Sequence, residues 1–472
     1  MQRKQEKDLD GSTKTSLNHC SPSTMQGNYG PTRRICLEKQ TSCFNGTSKR
    51  YAIIPGEGRF RAWSRVAGFG RRGHAILTRG VGFLSSTDKK YLVGAEVWTG
   101  TGRRLKKGVI VLEGGRVAQV GEDVPVPAGA DVADLGGCLV TPGLIDAHVH
   151  MGTYNEGFPE DMQDANDMVE PVLPQLRILD GLYPEDTSFS DALSGGVTCV
   201  QSLPGSGNVI GGQGMVVKTK PDIVERMAVL PCSAMKAALG ENPVRVYNSK
   251  GKLPNTRMGN AWLMRDAFVR ARNYGAKRDA AAKKGEPFDR DLGLEALLSV
   301  LDGTMPFRVH CHRLDDIQTA VRISEEFSLR YTIEHCTEGH LIAPWLAEKK
   351  VFAAVGPTLS SKPKIELRNK SWDTPVTLWR AGVHFCIITD HPVIPIEHQI
   401  VCASLAVKAG LPPDEALRAV TLYAAEHLGL EKRMGSIEPG KDADLAVWDG
   451  DPLDARTHVV KTFIDGAEVY SR

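Results

Sequence analysis

The sequence predicts an α/β protein: a (β/α)8 TIM-like barrel with a small β-sandwich domain made from segments on both sides of the barrel. Three observations predict it. Short apolar runs alternate with helical stretches over roughly 250 residues, the pattern of βαβ units closing into a parallel barrel. Strand-like segments flank that region, and those at the C-terminal end are too few to form an independent sheet. Several histidines and one aspartate end apolar runs, where barrels place their ligand-binding groups.

The elements read in order as follows. Residues 1–88 form a basic extension rich in Ser, Thr, Gly, Lys and Arg, with no sustained helical or strand period, so low order is expected there. An organelle transit peptide and a nucleic-acid-binding arm are the competing readings of this segment. Tyr91–Trp98, Gly108–Glu113 and Arg116–Val120 read as strands, the last two joined by a hairpin at Gly114–Gly115. With Cys138–Val140 and the C-terminal runs Ala443–Trp448, Val459–Ile464 and Ala467–Tyr470, they give one composite β domain over 89–140 and 430–472.

The barrel then occupies 141–429. Its strands are expected at Val197–Ser202, Met227–Met235, Phe307–His310, Arg330–Glu334, Val351–Val355 and Val383–Thr389. Ala261–Lys277, Leu292–Leu301, Asp315–Phe327 and a final pair over Ile396–Ala409 and Pro413–Leu428 read as helices. Gly205–Asn208 and Gly211–Gly214 look like a phosphate cradle, but no Lys-Ser/Thr follows in Walker spacing, so tight loops are expected.

Composition narrows the class. With 41% hydrophobic and 24% charged residues the chain is ordinary for a globular protein, and no run of about 18 apolar residues is present to span a membrane. No apolar stretch follows the polar residues 1–11, so a secretory signal is not expected. Residues 1–90 hold 17 Lys+Arg against 6 Asp+Glu, a balance of +11; with +2 overall, the remainder carries −9. The body is thus acidic and the basic character belongs to the extension; a small-molecule substrate and no nucleic-acid partner are expected, and a homo-oligomer by analogy only. Seven of the ten cysteines (Cys138, Cys199, Cys232, Cys311, Cys336, Cys386 and Cys402) lie in or beside apolar strand-like runs and no CxxC pair occurs, so buried free thiols in a reducing, cytoplasmic setting are expected.

The chemistry lies at the strand ends. His148 and His150 stand two apart, so on a strand both imidazoles project from one face and can reach one metal ion. His310-Cys-His312 repeats the spacing after Phe307–Val309, His335 ends Tyr331–Glu334, and Asp390 ends Phe385–Thr389. A carboxylate beside a buried apolar run is costly without a partner. Four strand-end donor positions together point to a divalent metal site of mixed imidazole and carboxylate ligands, which suits Zn and admits Mn, Fe or Co.

The stretch Thr141-Pro-Gly-Leu-Ile-Asp-Ala-His-Val-His150, together with His310, Ile333-Glu-His335, Thr389-Asp390 and Gly435-Ser-Ile-Glu-Pro-Gly-Lys-Asp-Ala-Asp-Leu-Ala-Val447, resembles the amidohydrolase superfamily over residues 91–472. Within it the chain is most similar to the imidazolonepropionase-like and metal-dependent dipeptidase-like branch. The resemblance implies that His148, His150 and Asp390 bind one metal, His310 and His335 a second, and that Lys236 is a carbamylated lysine bridging the two. It also implies hydrolysis of a linear or cyclic C–N amide bond by metal-activated hydroxide, with Asp390 as proton relay.

One position departs from the pattern. Where the deaminase and imidazolonepropionase branches carry a Glu three residues beyond the fifth-strand His, this chain has Arg313, which weighs against both of those activities. His312 is expected to face the substrate, the segment Glu241–Tyr247, with Tyr247 singled out, to line the pocket, and Arg257 to hold a substrate carboxylate bidentately. Glu338 and His340 are expected to orient the ligands from behind. Lactone or phosphotriester hydrolysis, or a non-catalytic metal-binding role, are the alternatives at the same site.

Overall fold

The computed structural model describes residues 89–472, so the reading of the basic extension lies outside the described residues. The chain opens with β1 (Lys90–Trp98), β2 (Arg104–Glu113), β3 (Arg116–Gly121), β4 (Asp131–Asp134) and β5 (Leu139–Pro142). Then come β6 (Leu144–Val149), β7 (Val197–Ser202), β8 (Ile210–Lys218), β9 (Ala228–Ala238), β10 (Phe307–Cys311), β11 (Tyr331–His335), β12 (Phe352–Val355) and β13 (His384–Ile387). It closes with β14 (Leu445–Trp448), β15 (Val459–Ile464) and β16 (Ala467–Ser471).

Both chain ends share one open sheet, in the order β16-β15-β14-β5-β1-β2-β3, with β4 paired to β1. β14 pairs antiparallel with β5, the step at which the C-terminal strands join the N-terminal ones. Alternation along β2 sends Ile110 and Leu112 into one apolar cluster and Val109 and Val111 into another, as a pleated strand requires. The hairpin turn at Gly114 and Gly115 has φ of 58° and 80°, the left-handed pair that a two-residue loop needs.

β6 to β13 follow one another around the second sheet in chain order. A Cβ at Gly143 would lie 2.2 Å from the Thr198 hydroxyl, so glycine is what lets the chain pass directly from β5 into β6. The edge strands β6 and β13 meet at their C-terminal ends. There the Asp390 N–H donates to the His148 carbonyl at 3.2 Å and the His150 N–H to the His391 carbonyl at 2.9 Å. The buried Asp146 carboxylate completes the seam by accepting from the Thr389 N–H (2.9 Å) and hydroxyl (2.7 Å). The barrel is thus nearly closed, and the closure lies where the His148–His150 and Asp390 segments meet.

One strand runs against the expected direction. β8 is antiparallel to both β7 and β9, so the barrel is not wholly parallel. Gly211–Gly214, expected to be a tight loop, lies inside this strand and is fully buried. A Cβ at Gly212 would meet the Leu176 carbonyl at 2.6 Å, and one at Gly214 a Leu203 methyl at 2.3 Å. These glycines serve close packing.

Helices cover the barrel. Arg257–Lys284 extends well beyond the expected Ala261–Lys277: the Thr256 side chain caps its start by accepting from the Gly259 N–H, and Gly285, at φ 70°, ends it. Leu292–Leu301 and Leu314–Glu326 lie where the 3.6-residue period puts them. The expected helix Pro413–Leu428 is two helices, Pro413–Ala419 and Leu422–Leu428, broken where the Ile145 N–H takes the Val420 carbonyl. Leu428, Leu430 and Met434 pack with Ile145, Val216, Ala354 and Cys386 of the barrel strands.

Of the seven cysteines, Cys199, Cys311, Cys336, Cys386 and Cys402 are buried, Cys138 is half-buried and Cys232 is exposed. Cys232 lies in the part of β9 before its pairing with β10 begins at Met235. Among the described residues no helix is long and apolar enough to cross a membrane.

Candidate metal centre

The C-terminal ends of the barrel strands bring six imidazole and carboxylate side chains and one lysine together. His148 and His150 come from the end of β6, Lys236 from β9, His310 and His312 from the end of β10, His335 from the last position of β11, and Asp390 from just beyond β13. His335 and Asp390 adopt φ of 70° and 55°, left-handed values that non-glycine residues hold only when their surroundings enforce them. That strain turns both side chains at the strand ends toward the shared centre.

Two groups of ligand atoms result. Atoms of His148, His150 and Asp390 lie within 4.8 Å of one another, and so do atoms of His310, His312 and His335. Asp390 Oδ1 is 3.2 Å from His150 Nε2 and 3.6 Å from His148 Nε2. The two groups adjoin, since the His148 and His335 rings are 4.8 Å apart between centroids.

The groups behind the rings decide which nitrogen is free. A carbonyl can only accept, so His150 Nδ1 donates to Leu203 O (2.7 Å) and His335 Nδ1 donates to Gly356 O (2.8 Å). His148 Nδ1 donates to Glu334 Oε2 at 2.8 Å. In all three rings Nε2 is left as a bare lone pair aimed at the centre, the arrangement that fits an imidazole for a metal. Neither ring nitrogen of the buried His310 has a hydrogen-bond partner, nor has His335 Nε2. Buried polar atoms without partners are costly, and a divalent cation at the convergence of these lone pairs would satisfy them. The residues therefore fit a metal.

Electrostatics agree with that fit. Burial, reinforced by the Lys236 charge, pushes His148 down to about 3, and burial also holds His310 and His312 well below the ordinary histidine range. These rings are neutral and able to ligate at pH 7. Burial alone would raise the Asp390 carboxyl, but the imidazoles of His335, His150 and His148 outweigh it and keep it ionised. Lys236 is 1% exposed and, among the described residues, has no carboxylate within ion-pair reach; its Nζ donates to Pro204 O at 2.9 Å and lies 3.2 Å from His148 Nε2. Burial lowers it to about 8, so part of it is a free amine at neutral pH.

Beneath the donors lies a buried polar layer that the sequence did not disclose. Glu334 holds His148 with one oxygen, while the other accepts from the Thr332 hydroxyl at 2.6 Å and lies 3.2 Å from His427 Nε2. Arg308 donates to the Thr332 hydroxyl (3.0 Å) and to the His427 carbonyl (2.6 Å). Burial would raise Glu334, yet His427 and His148 hold it well below its usual range. Replacing Glu334 by Gln removes the charge that fixes the His148 tautomer, so metal affinity is expected to fall about 10- to 100-fold. Competition against a chelator measures this, and an affinity equal to wild type would refute it.

His427 also gives a pH prediction. Burial, then the Arg308 charge, lowers it to about 4 in the fold, against about 6.5 when unfolded. The unfolded chain therefore binds a proton that the native one refuses, and stability is lost as pH falls from 6.5 toward 4. Between pH 7 and pH 5 this group alone should remove about 2 kcal/mol. The accompanying fall in Tm should be smaller in His427→Asn; an equal fall would show that other groups carry it.

The residues expected to contact substrate divide. His150, His310, His312 and Asp390 line a cavity of about 570 Å³ over the centre. Tyr247 and Arg257 do not. The Tyr247 hydroxyl donates to the Glu170 carbonyl at 2.7 Å and accepts from Asn208, buried within the wall. Arg257, the first residue of its helix, donates to Asp316 at 3.0 Å and lines a separate surface pocket. The side chains of Glu338 and His340 bond to none of the donor rings, although the Glu338 N–H donates to the His312 carbonyl at 2.9 Å. Glu338 accepts from the Leu314 N–H and from Asn369, and His340 pairs with Thr374. Arg313 pairs with Asp315 at 2.8 Å. Other residues do line the cavity: Ser206, in the Gly205–Asn208 stretch, and Asn242, in the Glu241–Tyr247 segment expected there, whereas Ser360 and Lys364 had no periodic or motif signal to mark them.

Comparison with known proteins gives a consistent result. The family model described as the amidohydrolase family matches residues 280–469. A crystal structure of an amidohydrolase from Thermotoga maritima MSB8 is 43% identical, with a TM-score of 0.79, covering 81% of this chain and 100% of that one. Amidohydrolase tasK of Hapsidospora irregularis is 30% identical over 411 residues, 81% of this chain, which spans only 41% of tasK's length. An imidazolonepropionase from Rhizorhabdus wittichii is 26% identical over 382 residues, 73% of this chain and 88% of that protein. With the full-length match to the Thermotoga maritima protein and the clustered imidazole and carboxylate donors, the chain belongs to the amidohydrolase family and is a metal-dependent hydrolase.

Proposed function

We propose that this chain hydrolyses a C–N amide bond, linear or cyclic, at a centre of two divalent ions, with Zn the best match to the donor set. The observation that carries the reading is the pair of adjoining donor groups, His148, His150 and Asp390 beside His310, His312 and His335, around a buried lysine that lacks a carboxylate. His148, His150 and Asp390 would hold one ion, and His310 and His335 the other. Support for His310 over His312 as the ligand comes from its two unpartnered nitrogens; His312 Nδ1 is instead 2.7 Å from the Thr337 hydroxyl, and its ring borders the cavity.

Lys236 fits a bridging role only as a carbamate, because an ammonium has no lone pair to give. When bound, divalent ions at these positions supply Lewis acidity, activating water at neutral pH and polarising a carbonyl. The chain's own groups supply the rest. Asp390, ionised and facing the cavity, accepts the proton of the attacking water and returns it to the departing amine nitrogen. His312 lies on the cavity wall where it can orient the scissile group. Cleavage of the acyl C–N bond thus yields a carboxylate and an amine, with the proton transferred through one side chain.

The activity of the imidazolonepropionases, hydrolysis of a cyclic amide, is one member of this class. Arg313, tied to Asp315, supplies no acid–base group near the water and turns the reading toward other amides. The test is elemental analysis of protein purified without chelator, followed by a screen of N-acyl amino acids, dipeptides and cyclic amides. About two ions per chain with turnover of an amide is the expected result. A metal-loaded protein that cleaves only lactones or phosphotriesters would overturn it.

A further inference from the structure

The cavity over the centre is asymmetric in charge. Among the described residues that line it, Asp390 is the one carboxylate and Lys364 the one ammonium. Asp390 faces the metal donors, so Lys364 is the charge left for a substrate group. It lies in the loop between β12 and β13 and borders the cavity together with His310 and His312.

The surroundings of Lys364 hold it in place without using up its protons. Nζ donates to Asn242 Oδ1 at 2.7 Å and forms an ion pair with the buried Glu366 carboxylate, whose Oε1 at 3.9 Å is too far to take a hydrogen bond from it. Because lysine can only donate, the Asn242 carbonyl oxygen must face it, which leaves the Asn242 amide N–H to donate to the Ser206 hydroxyl at 2.7 Å. Ser206 accepts there, so its own proton is free. Ser206, Asn242 and Lys364 all border the cavity. The chain of bonds therefore presents an ammonium and a hydroxyl O–H as donors, with the amide between them fixed in one orientation. Donors of that kind and charge match an anion.

We propose that Lys364, positioned by Asn242 and seconded by Ser206, forms a subsite for a carboxylate carried by the amide substrate. The inference rests on the amide-hydrolase reading above and narrows it: the preferred substrates are N-acylated amino acids or cyclic amides with a free carboxylate. A neutral amide of the same shape gives the ammonium no hydrogen-bonded anion and is the poorer substrate.

The test uses the metal-loaded full chain and matched pairs of N-acyl amino acids and their carboxamides. Wild type should favour the carboxylate member by about 10- to 100-fold in kcat/KM, the range for a hydrogen bond to a charged group. In Lys364→Met that preference should collapse through a raised KM for the carboxylates, while Lys364→Arg should retain part of it. Preference kept in Lys364→Met, or an equal loss of kcat on both members, would overturn the subsite. Should wild type cleave no amide, the amide reading fails, and the subsite is judged by calorimetric binding of hippurate against hippuramide. Weaker hippurate binding in Lys364→Met supports it, and equal binding overturns it.

Discussion

Asp390→Asn should lower kcat by about 10³-fold or more, within the range for a positioned proton-transfer group. The substitution keeps the size of the side chain and one oxygen, so the seam between β6 and β13, made by the backbone of Asp390 and His148, should survive. What is lost is the anion. Oδ1 lies 3.2 and 3.6 Å from the two imidazoles of its donor group, and those rings, with His335, keep the carboxyl ionised despite its burial. An amide neither accepts the proton nor balances the metal charge. Kinetics on Asp390→Asn with its metal content measured alongside separates the two effects. Loss of turnover with metal retained assigns proton transfer to Asp390; a loss below about 10-fold would remove it from that role.

Lys236→Ala should reduce the divalent metal content from about two ions per chain to one or fewer, because a bridging ligand in a two-metal site serves both ions. The argument is electrostatic. Lys236 is buried against His148 with only a carbonyl and an imidazole to accept from it, and an ammonium so placed is costly. Carbamylation removes the positive charge and supplies two oxygens where the two donor groups adjoin. Metal content unchanged in Lys236→Ala would make Lys236 structural and disfavour the bridged centre.

The donor residues were legible because their signal is local. Period-two spacing in His148-Val-His150 and His310-Cys-His312 puts both rings on one face wherever the strand goes, and apolar runs ending in His335 and Asp390 fix their positions at strand ends. The substrate-contacting residues were less so. Arg257 and Tyr247 have the right chemistry, but Asp316 and Glu170, distant in sequence, engage them. Which polar loop residue reaches the cavity depends on how the loops pack, and no spacing rule encodes that.

By itself, then, the sequence determined the barrel, the composite sheet built from both chain ends, and the strand-end cluster of imidazoles with Asp390, since hydrophobic period and strand length are properties of short segments. The tertiary structure alone decided four further features. β8 runs antiparallel, pairing Gly212 with Lys236 of β9, and its glycines allow close approach to Leu176 and Leu203. Glu334 lies beneath His148, because β6 and β11 face each other across the barrel. Nε2 is the free nitrogen in three rings, because carbonyls and a carboxylate from other segments take the Nδ1 protons. Lys364 faces the cavity, because Asn242, more than a hundred residues earlier in the chain, holds it there. Each of these depends on a contact between residues far apart in the chain, and such contacts exist only once the barrel has closed.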